Sequence, residues 1–235
     1  TLIERCLDVL PQAVHLLNVQ YRMHRAIMHF SNEYFYGGAL QAHETVGDRR
    51  LLSLDAGGET LTVFEPVVFV DTAGAGFEEK LNESVKGNQT RAVSRYNPEE
   101  ALLLREHLLQ LLEKFPEGRN PSIGLLSPYR EQVNYLEDMV REDPVLAPLL
   151  LPGGGLNINT IDGFQGQERD VIYISLVRSN ARHDIGFLSD YRRMNVAMTR
   201  ARMLLVVVGD SATIGQNRFY QAFLDYCAEH GRYQT

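Results

Sequence analysis

Several short runs of almost continuous apolar residues constrain this chain more than any other feature of its sequence. Three of them are 66–70 (PVVFV), 170–177 (DVIYISLV) and 203–209 (MLLVVVG). Runs of this length without polar alternation are typical of parallel strands that are covered on both faces. Helical segments separate the runs, and strands that alternate with helices indicate a mainly parallel sheet with helices on both sides. The predicted fold class is therefore α/β.

The other elements are predicted from periodicity and from signals at their ends. Asn97, Pro98 and two acidic residues are a typical helix start, so we predict a helix from there to about residue 115. A further helix is predicted to begin at Ser127-Pro128 and to end near residue 141. Further predicted strands are 15–19, 122–126 and 156–160, and further predicted helices are 24–35, 190–200 and 217–230. Ligands of open α/β sheets bind at the carboxyl ends of the strands, so we expect the functional residues there.

Region 41–97 has the weakest pattern in the chain. Residues 41–65 have no clear periodicity and indicate an insertion or an irregular hairpin, and 72–97 are polar and loop-like. Long loops of this kind are often functional. We predict one domain over residues 1–235 with an irregular insertion around 41–97. The chain has neither an initiator Met nor a secretory signal, so we expect a fragment of a longer protein.

Composition and charge limit the class of protein and its partners. The hydrophobic content is 44%, and no apolar run approaches the ~18 residues that cross a bilayer, so a globular chain without a membrane partner is expected. Cys6 and Cys227 are the only cysteines, which favours an intracellular, cytoplasmic location and provides no metal-ligand spacing. The net charge of −7 argues against a broad basic surface for nucleic acid. However, nearly all cations are arginines, which suit phosphate recognition.

The segment 67–74 (VVFVDTAG) is similar to a GTPase switch, because an apolar strand that ends in Asp is a common way to hold Mg²⁺. A P-loop needs Gly-Lys followed by Ser or Thr. None of the three lysines follows a glycine. We therefore interpret the segment as a strand that leaves the sheet into a turn.

Tyr21 and Arg22 stand between a predicted strand and a predicted helix. Such a junction is a natural anion site, where an arginine can bind a phosphate while an adjacent aromatic ring stacks on a base. A packed tyrosine beside a solvated arginine is an equally good interpretation of these two residues alone.

The loop 160–168 connects two predicted strands and is rich in polar residues. Gly166 permits close approach of the backbone, and Gln165 and Glu168 can hydrogen-bond a sugar or a phosphate-bound water. The next strand delivers residues 178–180 (RSN) to the same edge. Polar residues are also common in α/β loops of no special function, so both interpretations stay open.

Arg200 and Arg202 lie at the last turn of the predicted helix 190–200, directly before a predicted strand. Cations at this end of a helix often complement its dipole. At about 100° per residue the two side chains point roughly 200° apart, so at most one of them joins a given surface.

Four motifs, in this order, closely resemble the later motifs of superfamily 1 helicases, in particular the nonsense-mediated-decay type of subfamily 1B. They are 20–24 (QYRMH), 127–133 (SPYREQV), 159–180 (NTIDGFQGQERDVIYISLVRSN) and 186–202 (GFLSDYRRMNVAMTRAR). The resemblance covers nearly the whole chain and is weakest over 41–97. It implies a RecA-like P-loop NTPase fold, and within it the second of two motor domains.

The resemblance implies that ATP lies between two RecA-like domains of the same parent chain. The first domain supplies the P-loop and holds most of the Mg²⁺ ligands, which accounts for the missing Gly-Lys pair. By motif, Tyr21 is similar to the adenine-stacking tyrosine, Arg22 to an arginine on the γ-phosphate, and Arg200 to the arginine finger. The catalytic residues implied are Arg200 and Arg22, whereas Arg202 is expected to be structural.

Two sets of binding residues follow from the same resemblance. The implied nucleotide-binding residues are Tyr21, Arg22, Gln165, Gly166, Glu168 and Arg200. The implied single-strand-binding residues are Ser127, Tyr129, Gln132, Thr160, Arg178, Ser179 and Asn180. One departure from the motif is Arg25, where the family usually has proline.

The resemblance thus implies a helicase that couples ATP hydrolysis to translocation on single-stranded DNA or RNA and to duplex unwinding, with 5′ to 3′ polarity. The fragment alone lacks the P-loop and is expected to be inactive. The alternative is a RecA-like module that binds nucleic acid or protein without hydrolysis. A Gly-Lys-Thr loop upstream of residue 1 would discriminate between the two.

Overall fold

A six-stranded parallel sheet runs through the protein. The computed structural model describes residues 2–54, 58–82, 85–86, 89–90, 94–116 and 118–235. The strands are β1 (Val67–Asp71), β2 (Ile123–Ser127), β3 (Leu156–Thr160), β4 (Arg169–Ser175), β5 (Ala201–Gly209) and β6 (Arg232–Gln234). Their spatial order is β3-β2-β4-β5-β1-β6, and every neighbouring pair is parallel. The predicted α/β class is confirmed.

Helices cover both faces of this sheet. They are α1 (Leu2–Val9), α2 (Arg25–Tyr36), α3 (Glu44–Gly47), α4 (Pro98–Leu112), α5 (Arg130–Glu142), α6 (Tyr191–Met198), α7 (Ser211–Ile214) and α8 (Arg218–His230). Short 3-10 turns occupy Pro11–Ala13, Ala147–Leu150 and Gly186–Ser189. One apolar core lies between the sheet and α2, α6 and α8, and a second core lies between the sheet and α4 and α5. The core is therefore split by the sheet, as expected for strands that are apolar on both faces.

Short strand pairs outside the main sheet lie mostly in the region with weak sequence signals. One pair is parallel, Val19–Gln20 with Gln41–Ala42. Three pairs are antiparallel: Leu52–Leu54 with Thr60–Val63, Lys80–Asn82 with Ser94–Tyr96, and Val85–Lys86 with Gln89–Thr90. The last two pairs lie within 72–97, so the interpretation of that region as a plain loop is wrong there. Backbone pairing holds these strands without an apolar pattern. Residues 83–84, 87–88 and 91–93 of that region lie outside the described residues.

Two predicted ends are also wrong. The strand predicted at 15–19 pairs only from Val19 onward, and Leu17 in it is 89% exposed. The helix predicted from Ser127 begins at Arg130 instead, because β2 extends to Ser127 and pairs there with Thr160. The cap predicted at 97 has the expected hydrogen bond to the first turn of α4.

The connection between β3 and β4 determines where the candidate residues lie. Both strands run parallel to β2, so residues 161–168 return from the carboxyl edge of the sheet to its amino edge. Thr160 is at the carboxyl edge, whereas Glu168 is at the amino edge, directly before β4. Arg200 also lies at the amino edge, directly before β5. The expectation that all candidate residues share the carboxyl edge is therefore wrong.

Candidate nucleotide and nucleic-acid sites

Three arginines and one glutamate lie together at the amino edge of the sheet. Arg22 precedes α2, Glu168 precedes β4, and Arg200 and Arg202 flank the first residue of β5. The backbone N–H of Arg169 donates to the carbonyl of Arg200 at 3.1 Å, which fixes the two strand starts side by side. We call Arg22, Glu168, Arg200 and Arg202 the amino-edge cluster.

Glu168 binds two arginines of this cluster. Its Oε2 forms an ion pair with Nε of Arg22, and its Oε1 accepts from Nε and Nη2 of Arg202 at 3.0 and 2.8 Å. Arg22 also donates through Nη1 to the carbonyl of Thr199 at 3.1 Å. Burial alone would raise the pKa of Glu168, but the hydrogen bonds from Arg202 and Arg22 hold it below its usual value. The carboxylate therefore stays ionised and orients both side chains.

Arg200 has a different environment from the other two arginines. It is half-buried, and its Nε donates to the carbonyl of Val196 at 2.9 Å. Among the described residues, its Nη1 and Nη2 have no hydrogen-bond partner and no carboxylate pairs with it. Burial and the neighbouring charge of Arg22 lower the pKa of this guanidinium from its usual value. A fixed cation with free donors is suited to bind an anion.

Tyr21 lies beside this cluster and is 64% exposed. Its ring stacks on the ring of His43, with centroids 4.4 Å apart and an angle of 29° between the planes. His43 is in turn held as the N-terminal cap of α3, where its Nδ1 accepts from the backbone of Thr45 at 3.3 Å. Tyr21 is thus an exposed aromatic side chain with a fixed neighbour, rather than a core tyrosine.

Gln165 and Gly166 form an exposed turn in the loop between β3 and β4. The N–H of Gln165 donates to the carbonyl of Asp162 at 3.3 Å. Gly166 has φ +83°, and a Cβ added there would meet nothing within 4 Å. The glycine is therefore required by the left-handed backbone and not by close packing.

At the carboxyl edge, Arg178 is buried and paired. Its Nε and Nη2 contact carboxylate oxygens of Glu79 and Asp184 at 2.7 and 2.9 Å, and its Nη1 contacts the hydroxyl of Tyr129 at 3.4 Å. Tyr129 is also buried. Each of the three guanidinium nitrogens of Arg178 thus has a partner within the protein.

Glu79 connects the inserted region to the same edge. Besides Arg178, its carboxylate binds Arg95 at 2.6 Å, the backbone N–H of Ser179 at 3.0 Å and the amide of Asn180 at 3.2 Å. Sequence reasoning missed Glu79, because a single acid in a polar stretch carries no periodic signal. Ser179 and Asn180 themselves are only half-buried.

The remaining candidate residues of this edge differ in accessibility. Thr160 is half-buried, and its hydroxyl accepts from the N–H of Gly163 at 3.1 Å. Ser127 and Gln132 are completely buried. Gln132 accepts from the N–H of Asn97 at 2.8 Å and donates to that residue's carbonyl at 3.2 Å. Its side chain therefore links two helices and has no face toward solvent.

The parallel sheet with helices on both faces is the α/β architecture that the resemblance to a RecA-like motor domain implies. The chain belongs to the AAA domain family, whose model matches residues 1–212.

Known relatives of the chain have helicase or DNA-binding names. It is 37% identical to DNA polymerase alpha-associated DNA helicase A of Saccharomyces cerevisiae, over 98% of this chain and 33% of the relative. It is 35% identical to DNA-binding protein SMUBP-2 of Mesocricetus auratus, over 95% of this chain and 21% of the relative. The chain thus spans a third or less of the length of these relatives.

Among solved structures, the C-terminal domain of a possible DNA helicase from Lactobacillus plantarum aligns with a TM-score of 0.44 and 10% identity. The alignment covers 81% of this chain and 88% of that one, and the similarity is too low to add to the fold assignment. The family and the helicase relatives confirm the resemblance to the C-terminal motor domain of superfamily 1B helicases.

Two absences concern the described residues only. Within the described ranges, no group of three or more His, Cys, Asp or Glu side chains is arranged to hold a metal ion. In the same part of the chain, no helix is both long and apolar enough to cross a membrane.

Proposed function

We propose that residues 1–235 form one domain, the second motor domain of a helicase, with 41–97 as an insertion. The parent protein couples ATP hydrolysis to 5′ to 3′ movement along single-stranded DNA or RNA and to duplex unwinding. The observation that carries this proposal is the environment of Arg200, a half-buried guanidinium near Arg22 whose terminal donors have no partner among the described residues. Donors of this kind stabilise the charge that develops on a transferring phosphoryl group.

The amino-edge cluster fits a nucleotide triphosphate in charge. Its three arginines outnumber its single carboxylate, so the cluster is cationic although the chain as a whole is acidic. In this proposal Tyr21 stacks on the adenine, and Arg22 and Arg200 contact the γ-phosphate. Glu168 fixes the side chain of Arg22 through Nε, and the γ-phosphate competes with this carboxylate for Arg22. The exposed turn at Gln165 and Gly166 contacts the ribose and the γ-phosphate.

Mg²⁺ fits this domain poorly, because the donors of the cluster are mostly cationic. We assign its ligands, together with the P-loop, to the first RecA-like domain of the same parent chain. ATP bound between the two domains supplies the phosphoryl group. The residues of the present chain bind and orient it and stabilise the transition state. This domain alone is consequently inactive, and the parent protein works inside the cell.

Single-stranded nucleic acid binds at the carboxyl edge in this proposal. Thr160, Ser179 and Asn180 contact the strand, since they are the candidate residues with exposed surface. The buried candidates hold these contacts in position instead of touching the strand: Ser127, Tyr129, Gln132 and Arg178. Binding of single-stranded nucleic acid through only a few side chains is consistent with the net charge of −7.

Arg200→Ala in the parent protein tests the proposal. We expect kcat for strand-stimulated ATP hydrolysis to fall by at least ~10³, the usual contribution of an arginine finger. The KM for ATP should change much less, since Arg22 and Tyr21 remain. A matched control is Arg141→Ala, which removes an arginine with a 62% exposed side chain on α5. Near-normal kcat in Arg200→Ala would remove Arg200 from the mechanism, and absence of any ATPase in the parent protein would favour a non-hydrolysing binding module.

A further inference from the structure

We infer that Glu100 is a positioning residue for strand binding, because it holds the backbone of Val177 in a left-handed conformation directly before Arg178–Asn180. This inference rests on the proposed function. It identifies the side chain that fixes the backbone at the carboxyl edge, where nucleic acid is proposed to bind.

Val177 has an unusual backbone for its residue type. Its φ is +71°, although it is β-branched, and its side chain is completely buried. Branched residues rarely adopt this region, because the Cβ substituents crowd the following carbonyl. Such a conformation persists only where the surroundings determine it, and it is found preferentially at functional sites.

Both polar groups of the Val177 backbone are held by the first turn of α4. Its N–H donates to the two carboxylate oxygens of Glu100 at 3.0 and 3.1 Å. Its carbonyl accepts from Nδ2 of Asn97 at 3.3 Å. A backbone hydrogen bond from the N–H of Arg178 to the carbonyl of Leu176 at 2.8 Å closes the same turn. The two side chains therefore hold the turn together with this backbone bond.

Other buried polar groups fix Glu100 itself. It is completely buried, and the hydroxyl of Ser175 donates to its Oε1. Gln132 donates to the same hydroxyl at 2.9 Å and also binds the backbone of Asn97. The network thus joins α4, α5 and the end of β4. The buried Gln132 therefore acts on the nucleic-acid edge through this network and not by contact with nucleic acid.

The turn at Val177 decides where the next three residues lie. In the present backbone direction, Ser179 and Asn180 contact Glu79, Asp184 and Thr213 of α7. A return of Val177 to an ordinary extended or helical conformation would point the following peptide elsewhere. Removal of Glu100 should therefore change the strand-binding edge and leave the amino-edge cluster, at the opposite end of the sheet, as it is.

The test compares Glu100→Met and Glu100→Gln in the parent protein. Methionine fills the volume but accepts no hydrogen bond from an N–H of this kind, whereas glutamine keeps one amide oxygen for Val177. We expect the Kd for a labelled single-stranded oligonucleotide to rise at least tenfold in Glu100→Met, with KM for ATP within twofold of wild type. Glu100→Gln should stay within about threefold of wild type in both. The control, Glu106→Met, makes the same change at an exposed position of α4.

A suppressor variant tests the backbone argument itself. Glycine adopts positive φ without cost, so Val177→Gly combined with Glu100→Met should recover part of the lost oligonucleotide affinity. If Glu100→Met does not fold, Asn97→Ser replaces it, since serine keeps the helix cap but is too short to reach the carbonyl of Val177. Asn97→Ser should raise the oligonucleotide Kd at least threefold at unchanged KM for ATP.

The outcomes separate this inference from the proposed function. A wild-type parent protein that binds no single strand would contradict the proposed function. Normal oligonucleotide affinity in Glu100→Met, or in Asn97→Ser where that variant is used, would overturn the inference alone. Equal losses in oligonucleotide affinity and in KM for ATP would also overturn it, since they indicate general damage to the fold. An oligonucleotide affinity lower in the double variant Val177→Gly, Glu100→Met than in Glu100→Met would also overturn the inference.

Discussion

Arg22 and Arg200 are both half-buried at one edge of the sheet, but they differ in what they must release before they can bind a phosphate. Arg22 is paired with Glu168, so a phosphate has to compete with that carboxylate. Arg200 has only a backbone partner for its Nε. Its terminal donors are preorganised, which is how an arginine contributes most to a transition state. In the amino-edge cluster, Arg22 is thus paired with a carboxylate, whereas the terminal donors of Arg200 have no partner among the described residues.

At the same scale, Tyr21 is expected to act on nucleotide binding alone. Aromatic stacking on a base contributes about 1–3 kcal/mol, so Tyr21→Ala should raise the KM for ATP by roughly tenfold, with kcat at saturation little changed. Tyr21→Phe keeps the ring that stacks on His43 and should behave as wild type. Steady-state ATPase assays over a range of ATP concentrations measure both. A fall in kcat without a change in KM would exclude the stacking role.

The stability of the domain should depend on the ionisation of Glu100. Burial raises its pKa to about 7 from the usual 4.5, in spite of the hydrogen bonds from Ser175 and Val177. The folded state then holds a proton that the unfolded state has released, so the free energy of unfolding falls as pH rises from about 4.5 to about 7. The loss is at most about 3 kcal/mol. Urea titrations at pH 5 and pH 8 should show a smaller difference in Glu100→Gln than in wild type, and an equal difference would contradict the assignment.

The 3-10 turn Gly186–Ser189 packs directly against the side chain of Arg178 at the carboxyl edge. Gly186 has φ +51°, and a Cβ there would lie 2.1 Å from Nη1 of the buried Arg178. Gly186→Ala should therefore destabilise the domain by roughly 3 kcal/mol or more, through backbone strain and displacement of Arg178. Gly37→Ala is the matched control, since Gly37 has φ +57° with nothing within 4 Å of its added Cβ. It should cost only about 1 kcal/mol in a thermal or urea melt. Equal costs would show that the contact with Arg178 is unimportant.

Elements with a strong apolar pattern could be predicted from the sequence, and elements held by backbone pairing or single polar contacts could not. The runs at β1, β4 and β5 predicted those strands because both faces of each are covered. Lys80–Asn82 and β6 are short and mostly polar, so their pairing leaves no periodic signal. Glu79 and Gln132 are held by single polar contacts, which leave no periodic signal either. Neither the role of Glu79 nor the burial of Gln132 could therefore be predicted from the sequence.

At the scale of the whole molecule, the two groups of candidate residues lie at opposite edges of one rigid sheet. The amino-edge cluster is at the start of β4 and β5, and Thr160 and Arg178–Asn180 are at or beyond the ends of β3 and β4. Sequence reasoning identified both groups through the motifs but assigned them to one edge, because the return path of residues 161–168 depends on sheet order. In the proposed function, the β-strands between the two edges connect the nucleotide site with the nucleic-acid site.

In the proposed function, this domain completes an ATP site whose other half lies in the first motor domain. Single-strand-stimulated ATP hydrolysis, measured side by side for the parent protein and for residues 1–235 alone, tests it most directly. We expect turnover that rises strongly with added oligonucleotide in the parent protein and no turnover in the isolated chain, with or without oligonucleotide. Hydrolysis by the isolated chain would contradict the split site, and a parent protein without any ATPase would contradict the motor itself.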